Sequence, residues 1–389
     1  MNHSWKLHFS RFLTARPGRL HVAAHSHHPW PDVSYYAQAE AWTEAADLAD
    51  DKWTKIFGAV IPAAQAHVAT ILHLPDPGTL CFAGNTHELL MRLMSSIARR
   101  PIRVLSTDSE FHSFNRQMLR MAEAGQVEIE RIASEPFASF AERFASAAAR
   151  GGHDLVFFSQ CFYNSGWLVH ELAPIVQAVR DPDTLIVIDG YHGYMALHTD
   201  LSAIAGRAFY LGGGYKYAMS GEGNAFMHCP PGIALRPVDT GWFAGFAALS
   251  GGPGQVGYAD GGLRFLGATY DATALYRLNA VMDWLHAQKL TPARIHARVA
   301  ALQDLFLDGL DRLALPLLNA ALLIPGRGQP RGNFLCFRTT RAGELQQRLA
   351  ATEVVCDHRD DRLRIGFGVY HDEADIHELL RRVVISLAR

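Results

Sequence analysis

Lysine is nearly absent from this chain: of its 36 basic side chains only Lys6, Lys52, Lys55, Lys216 and Lys289 are lysines, and the rest are arginines. An arginine stays protonated and cannot attack a carbonyl carbon, whereas a desolvated lysine can become a neutral amine. Cysteine is sparse too. Cys81, Cys161, Cys229, Cys336 and Cys356 are odd in number, scattered and without a CxxC pair, which excludes a disulfide framework or zinc ribbon. No Lys/Arg run faces an aromatic platform and the formal net charge is −2, so nothing attracts nucleic acid or an anionic bilayer. Apolar stretches such as 184–188 and 383–387 fall far short of the roughly 20 residues that span a membrane. The opening Met-Asn-His-Ser-Trp-Lys-Leu-His has no signal-peptide core, so a cytoplasmic location without nucleic-acid or membrane partners is expected.

What is present is an ordinary globular balance, 49% apolar and 19% charged over 389 residues, long enough for two or three domains. Strand and helix patterns alternate from residue 78 onward: 78–83, 102–106, 127–132, 154–159, 185–189, 208–212 and 224–228 read as strands, with helices in most of the gaps. A helix is expected over 32–56. This α/β alternation predicts a mostly parallel sheet covered on both faces. Beyond Tyr270 come helices at 271–288 and 293–313, strands at 321–324, 333–338 and 362–367, and a last helix from 372. That reads as a small α+β domain. We therefore expect a large domain over 50–270 and a small one from 1–49 plus 271–389.

Lys216 differs from the other lysines in sitting within Gly-Gly-Gly-Tyr-Lys-Tyr at 212–217. Asp189 ends the strand Leu-Ile-Val-Ile-Asp, at the edge of a parallel sheet where ligands bind; Asp-Gly is also ordinary turn chemistry. Acid at one strand end and lysine beyond the next is the spacing of a cofactor held between neighbouring sheet edges. It suits pyridoxal phosphate (PLP), whose ring nitrogen works only while a carboxylate keeps it protonated. Asn85 and Thr86 stand at a strand-to-helix turn, able to bind a phosphate or simply to cap the helix. Phe111 or His112 can stack on a ring or serve as core. His192 falls near Asp189. Arg364 interrupts the apolar Leu-Arg-Ile-Gly-Phe, either to hold a substrate carboxylate or to pair with Asp357 or Asp361. The histidines at 21, 25, 27 and 28 raise a metal reading, but no matching ligand set accompanies them, and no metal is expected.

Taken in order, these segments resemble kynureninase, within the class V aminotransferase superfamily of PLP-dependent fold type I enzymes. Ala-His-Ser-His-His-Pro-Trp-Pro at 24–31 is similar to the family's Gly-Asn-Ser-Leu-Gly loop, and Asn85-Thr86 to its phosphate turn. Glu110-Phe-His-Ser matches the ring-stacking segment, Asp189-Gly-Tyr-His its Asp-Leu-Ala-His, and Tyr215-Lys-Tyr its Tyr-Lys-Tyr. Gly241-Trp-Phe is similar to its Gly-Trp-Phe, and Cys356-Asp-His-Arg with Leu363-Arg-Ile-Gly-Phe to its closing pair. The resemblance implies the type I fold. It also implies a Schiff base at Lys216, with Asp189 and Tyr215 completing the catalytic set. Cofactor contacts would come from His192, Asn85, Thr86, Phe111, Tyr215 and Trp242, and substrate contacts from Arg364, His25, Ser26 and Thr269. A homodimer with shared active sites would follow, Trp242 reaching the neighbouring subunit's phosphate. Departures fall on the substrate side: Phe114 replaces an Asp, Gly267-Ala-Thr-Tyr replaces Gly-Gly-Thr-Pro, and His25, His27 and His28 replace Asn, Leu and Gly.

The expected reaction is therefore hydrolysis of a kynurenine-type β-acyl amino acid to alanine and an acid. A class V aminotransferase or β-lyase, a non-catalytic PLP-binding protein, and a metal hydrolase built on Asp189, His192 and His198 are the alternatives.

Overall fold

The computed structural model describes residues 4–248, 254 and 256–387. The N-terminal segment enters through a two-residue strand, β1 (Leu20–His21), and a helix, Val33–Leu48. The expected helix over 32–56 breaks at Ala49, whose φ of 48° lies in the left-handed half of backbone space. The chain then passes through short helical turns to a helix at Ile61–Leu72. The stretch Val33–Leu72 is long and apolar enough by composition to cross a bilayer, but both of its main helices pack against the helix Thr273–Ala287. Buried core helices meet the same criterion.

Seven strands follow: β2 (Leu80–Ala83), β3 (Ile102–Thr107), β4 (Val127–Ile132), β5 (Leu155–Ser159), β6 (Leu185–Asp189), β7 (Phe209–Gly212) and β8 (Ala225–His228). They form one sheet in the order β2-β8-β7-β6-β5-β3-β4. All run parallel except β8, which is antiparallel to both of its neighbours. Strands β2, β5, β7 and β8 are buried at every residue, which is why they read as continuous apolar runs. Side chains alternate between two cores: Phe158, Ile186, Ile188 and Tyr210 enter one, Phe157, Val187, Phe209 and Leu211 the other. Only the edge strand β4 is largely uncovered, and its Glu128, Glu130 and Arg131 discourage pairing with another chain. The sequence thus yields the predicted α/β fold with a mostly parallel sheet, and the carboxyl ends of β3, β5, β6 and β7 open on one edge.

The C-terminal part adds β9 (Leu335–Arg338), β10 (Val354–Val355), β11 (Asp357–Arg359) and β12 (Arg362–Ile365). β11, β12 and β9 make an antiparallel sheet in which Asp357 lies directly opposite Arg364. β1 pairs in parallel with β10, and Ala23 bridges to Gly366, so the N-terminal loop is laid over this sheet. The strand expected at 321–324 is instead a short turn, Ala320–Leu322, with one bridge from Leu323 to Phe337. Asn319 caps that turn through its side chain, and Pro325 has no N–H with which to continue a ladder.

Candidate active site

Asp189 is the last residue of β6, and Gly190 must follow it because a Cβ there would lie 1.8 Å from the Tyr210 ring. The Asp189 carboxylate accepts the Tyr191 N–H at 2.9 Å, so the turn chemistry and the strand-end placement coexist. β7 ends at Gly212. A Cβ on Gly213 or Gly214 would fall 2.3 Å from the Tyr191 hydroxyl or 1.9 Å from Asn224 Oδ1. The triple glycine is therefore a packing requirement that returns the chain towards Asp189.

Lys216 emerges there 5% exposed. Its Nζ shares a 2.8 Å hydrogen bond with His192 Nε2 and lies 4.8 Å from the Tyr191 ring centre and 5.7 Å from those of Phe111 and Tyr215. Burial pulls its ammonium down to about 7, against the opposing pull of Asp189. Burial also raises the Asp189 carboxyl, with the Tyr191 N–H and Lys216 acting against it. His192 is kept neutral by burial and by Lys216, and its Nδ1 has no partner. Tyr215 is pushed up to about 12, chiefly by burial. A lysine able to lose its proton near neutrality thus faces a carboxylate inside a wall of aromatic rings.

A second cluster comes from β11 and β12. The Arg364 guanidinium is buried and donates to Asp357 through Nε (2.8 Å) and Nη2 (2.5 Å), and to the Tyr163 carbonyl through Nη1 (2.5 Å). The pairing with Asp357 that the sequence left open is the one formed. Burial alone would raise the Asp357 carboxyl, but His25 and Arg364 outweigh it and hold the group far below the usual range. His25 Nε2 lies 3.1 Å from Asp357, and its ring stacks on Phe334 at 4.7 Å. Phe334 also meets His192, at 5.3 Å, and so joins the two clusters. Gly366 makes room: a Cβ there would be 2.4 Å from His25 Nδ1.

Other expected residues disperse. The Ser26 hydroxyl meets His27 Nδ1 at 3.3 Å, and the exposed His27 stacks on Tyr215 at 4.9 Å. His28 turns the opposite way, into a core with Tyr217 and Tyr370. Asn85 caps the helix Thr86–Ser95 by accepting the Glu88 N–H at 3.0 Å, while Thr86 opens its first turn. His112 is exposed beside Tyr163. Trp242 and Thr269 are exposed and bonded to each other at 3.1 Å, and the Trp242 ring lies beside those of Phe243 and Phe246. His198 faces His73 instead of Asp189, and among the described residues no three His, Cys, Asp or Glu side chains are grouped to hold a metal.

The sequence reading missed Glu110 and Phe334. Glu110 is fully buried between β3 and β5, accepting from Thr107 Oγ1 (2.6 Å), Ser159 N (3.2 Å) and Ser159 Oγ (2.5 Å). Its position directly before Phe111 was the available signal. Phe334 carried none. All five cysteines are buried; burial pushes the thiols of Cys161, Cys229, Cys336 and Cys356 up to about 12, and that of Cys81 higher than its ordinary value as well.

Residues 295–383 match the family model of the kynureninase C-terminal domain. Isopenicillin N epimerase of Streptomyces clavuligerus is 27% identical over 184 residues, 47% of this chain and 40% of the epimerase; the chain thus spans about two fifths of the curated relative it matches. Among solved structures, a C-DES mutant with glycine covalently linked to its PLP cofactor superposes with a TM-score of 0.82 at 17% identity, covering 97% of this chain and 98% of the other. The apo cysteine desulfurase of Thermococcus onnurineus NA1 gives 0.81 at 15% identity, covering 100% and 99%. The cysteine desulfurase CsdA of Escherichia coli gives 0.74 at 15%, covering 98% of each.

Proposed function

We propose that this chain, a class V enzyme of the PLP-dependent fold type I group, hydrolyses the side chain of a kynurenine-type β-acyl amino acid, releasing alanine and an acid. The observation that carries the reading is the buried Lys216, its ammonium held near neutrality between His192 and Asp189. These residues fit the cofactor. A buried amine can bond to its aldehyde, Asp189 ends a strand where a ring nitrogen needs a carboxylate, and the unpartnered His192 Nδ1 is free to adjust its tautomer. PLP, when bound, supplies the electron sink.

The protein's own groups then divide the work. With the cofactor bound, Lys216 would be the base for the proton on the substrate Cα. Tyr215 keeps its phenolic proton through the working pH range and would give it to the γ-carbonyl oxygen as water adds to that carbon, before the Cβ–Cγ bond breaks to leave the acid and alanine. Arg364 retains one N–H on each terminal nitrogen after its bonds to Asp357 and Tyr163, and these receive the α-carboxylate. The kynureninase-domain match includes Phe334, Asp357 and Arg364, which supports the hydrolytic assignment. Purified enzyme should show visible absorbance that borohydride fixes to Lys216, and should release alanine from kynurenine or 3-hydroxykynurenine. Bound cofactor with no alanine from either would sink the reading.

The second reading is a β-lyase on a sulfur amino acid. It is favoured by the fold likeness to the cystine C–S lyase C-DES, with a TM-score of 0.77 at 18% identity. A desulfurase that parks sulfur on its own cysteine is disfavoured, because every thiol here is buried and protonated. Pyruvate and ammonia from cystine, in place of alanine from kynurenine, would establish this alternative.

A further inference from the structure

We infer that a cavity of about 590 Å³ beside the Lys216 cluster is a second small-molecule site, and that it takes an aromatic or otherwise apolar carboxylate. The volume suits such a ligand. Three guanidiniums line it, those of Arg11, Arg19 and Arg277, and among the described residues none of them forms an ion pair. The one carboxylate in its wall, Asp32, accepts from Ser10 N (3.1 Å), Ser10 Oγ (2.5 Å) and Arg11 N (3.0 Å) at the start of the helix Ser10–Ala15. Glu222 lies outside the wall, 3.7 Å from His27, and together with Asp271 it acts on Arg277 from a distance. The cavity therefore holds more positive charge than its own carboxylate offsets, and an anion supplies the difference.

The arginines are also held ready. Each lies over an aromatic ring: Arg11 is 3.7 Å from the Tyr35 centre, Arg19 4.2 Å from Phe12 and Arg277 5.3 Å from Trp30. Stacking fixes the plane of a guanidinium while leaving its N–H edge able to receive a carboxylate. Arg277 has spent its edge on the Ser220 and Glu222 carbonyls and on Gln38, so it contributes charge. Arg19 has one long bond, 3.4 Å to the Phe12 carbonyl, and the exposed Arg11 bonds the neutral Tyr36 hydroxyl, so these two keep N–H groups for the ligand. Phe12, Pro29, Trp30 and Tyr35 give the rest of the wall an apolar face for the ligand's body. Trp30 is set against Gly221, where a Cβ would come within 2.5 Å of its ring.

This site adjoins the lysine. His27 belongs to its wall and stacks on Tyr215, and the His28 N–H donates to the Tyr215 carbonyl at 3.0 Å. A ligand that orders His27 thereby orders the residue preceding Lys216.

The test is calorimetric titration of the holoenzyme with 3-phenylpropionate. One-site binding that weakens as salt is raised is expected. Arg11→Gln and Arg19→Gln should each weaken it about tenfold, equivalent to ~1.4 kcal/mol. Arg11→Lys should recover part of the loss, and Arg116→Gln, on the remote helix His112–Glu123, should change nothing. Arg364→Lys should still bind the probe, and because Arg364 is the residue that receives a carboxylate in the catalytic site, this separates the two sites whatever reaction the latter performs. The inference is overturned if no binding heat appears, if the Arg11 and Arg19 variants bind as the parent does, or if Arg364→Lys abolishes binding.

Discussion

Lys216 and Asp357 show opposite effects of burial on a charge. Lys216 has its partner Asp189 but no direct ion pair, so desolvation dominates and its ammonium falls to about 7. Covalent uptake of PLP by the apoprotein should accordingly rise through half-maximum near pH 7. Because Asp189 raises the Lys216 value, Asp189→Asn should move that midpoint to lower pH; stopped-flow absorbance checks both, and an unmoved midpoint would contradict the coupling. Asp357 has the Arg364 guanidinium and a hydrogen bond from His25, and together they prevail over burial, while burial holds the His25 imidazole itself down to about 4. Its folded value lies below its unfolded one, so its contribution is present above the unfolded carboxylate pKa of about 4 and is lost as pH falls. Asp357→Asn should cost about 3 kcal/mol at neutral pH by leaving Arg364 and His25 without their carboxylate, and the loss should shrink in acid. Urea denaturation across pH measures both effects.

At the scale of elements, the site depends on what ties strand ends together. Glu110 fastens the ends of β3 and β5 and, through its carbonyl, accepts from Asn115 Nδ2 on the following helix at 2.5 Å. Phe111 is thereby aimed at Lys216. Burial raises the Glu110 carboxyl to about 7, with the Ser159 and Thr107 donors opposing and Asp189 reinforcing. A raised acid holds a proton in the native state that the unfolded chain has already released, so stability falls as pH rises from about 4.5 to 7. Glu110→Gln should flatten that slope in urea titrations while leaving the fold intact. A parallel slope in the variant and the parent would show that Glu110 titrates like an exposed acid. The same scale explains two local misreadings. The helix over 32–56 broke at Ala49 although no glycine or proline marks the place, and 321–324 lost its ladder to an Asn319 cap and Pro325.

For the whole molecule, the seven-stranded sheet sets Asp189 and Lys216 on one edge, and the N-terminal loop, tied to β12 through Ala23 and Gly366, brings His25 to Asp357 and Arg364. Cys356, directly before Asp357, is buried and its thiol is pushed up to about 12. Cys356→Ala should therefore keep turnover within about twofold of the parent in a steady-state assay, since a buried thiol acts mainly as a small apolar filler; loss of activity with a normal fold would return the desulfurase reading. Much was legible beforehand because it is local. Strand periodicity, an acid closing Leu-Ile-Val-Ile-Asp and a lone lysine among glycines are properties of adjacent residues, so the sequence by itself determined the α/β sheet and the Asp189–Lys216 pair. The partner of Arg364, the divergent paths of His25, His27 and His28, the capping of Asn85 and the cavity of three stacked arginines were decided only by the tertiary structure. Each depends on side chains brought together across long stretches of chain, and a charged residue's partner is fixed by which neighbour the packing delivers to it, not by the residues beside it in sequence.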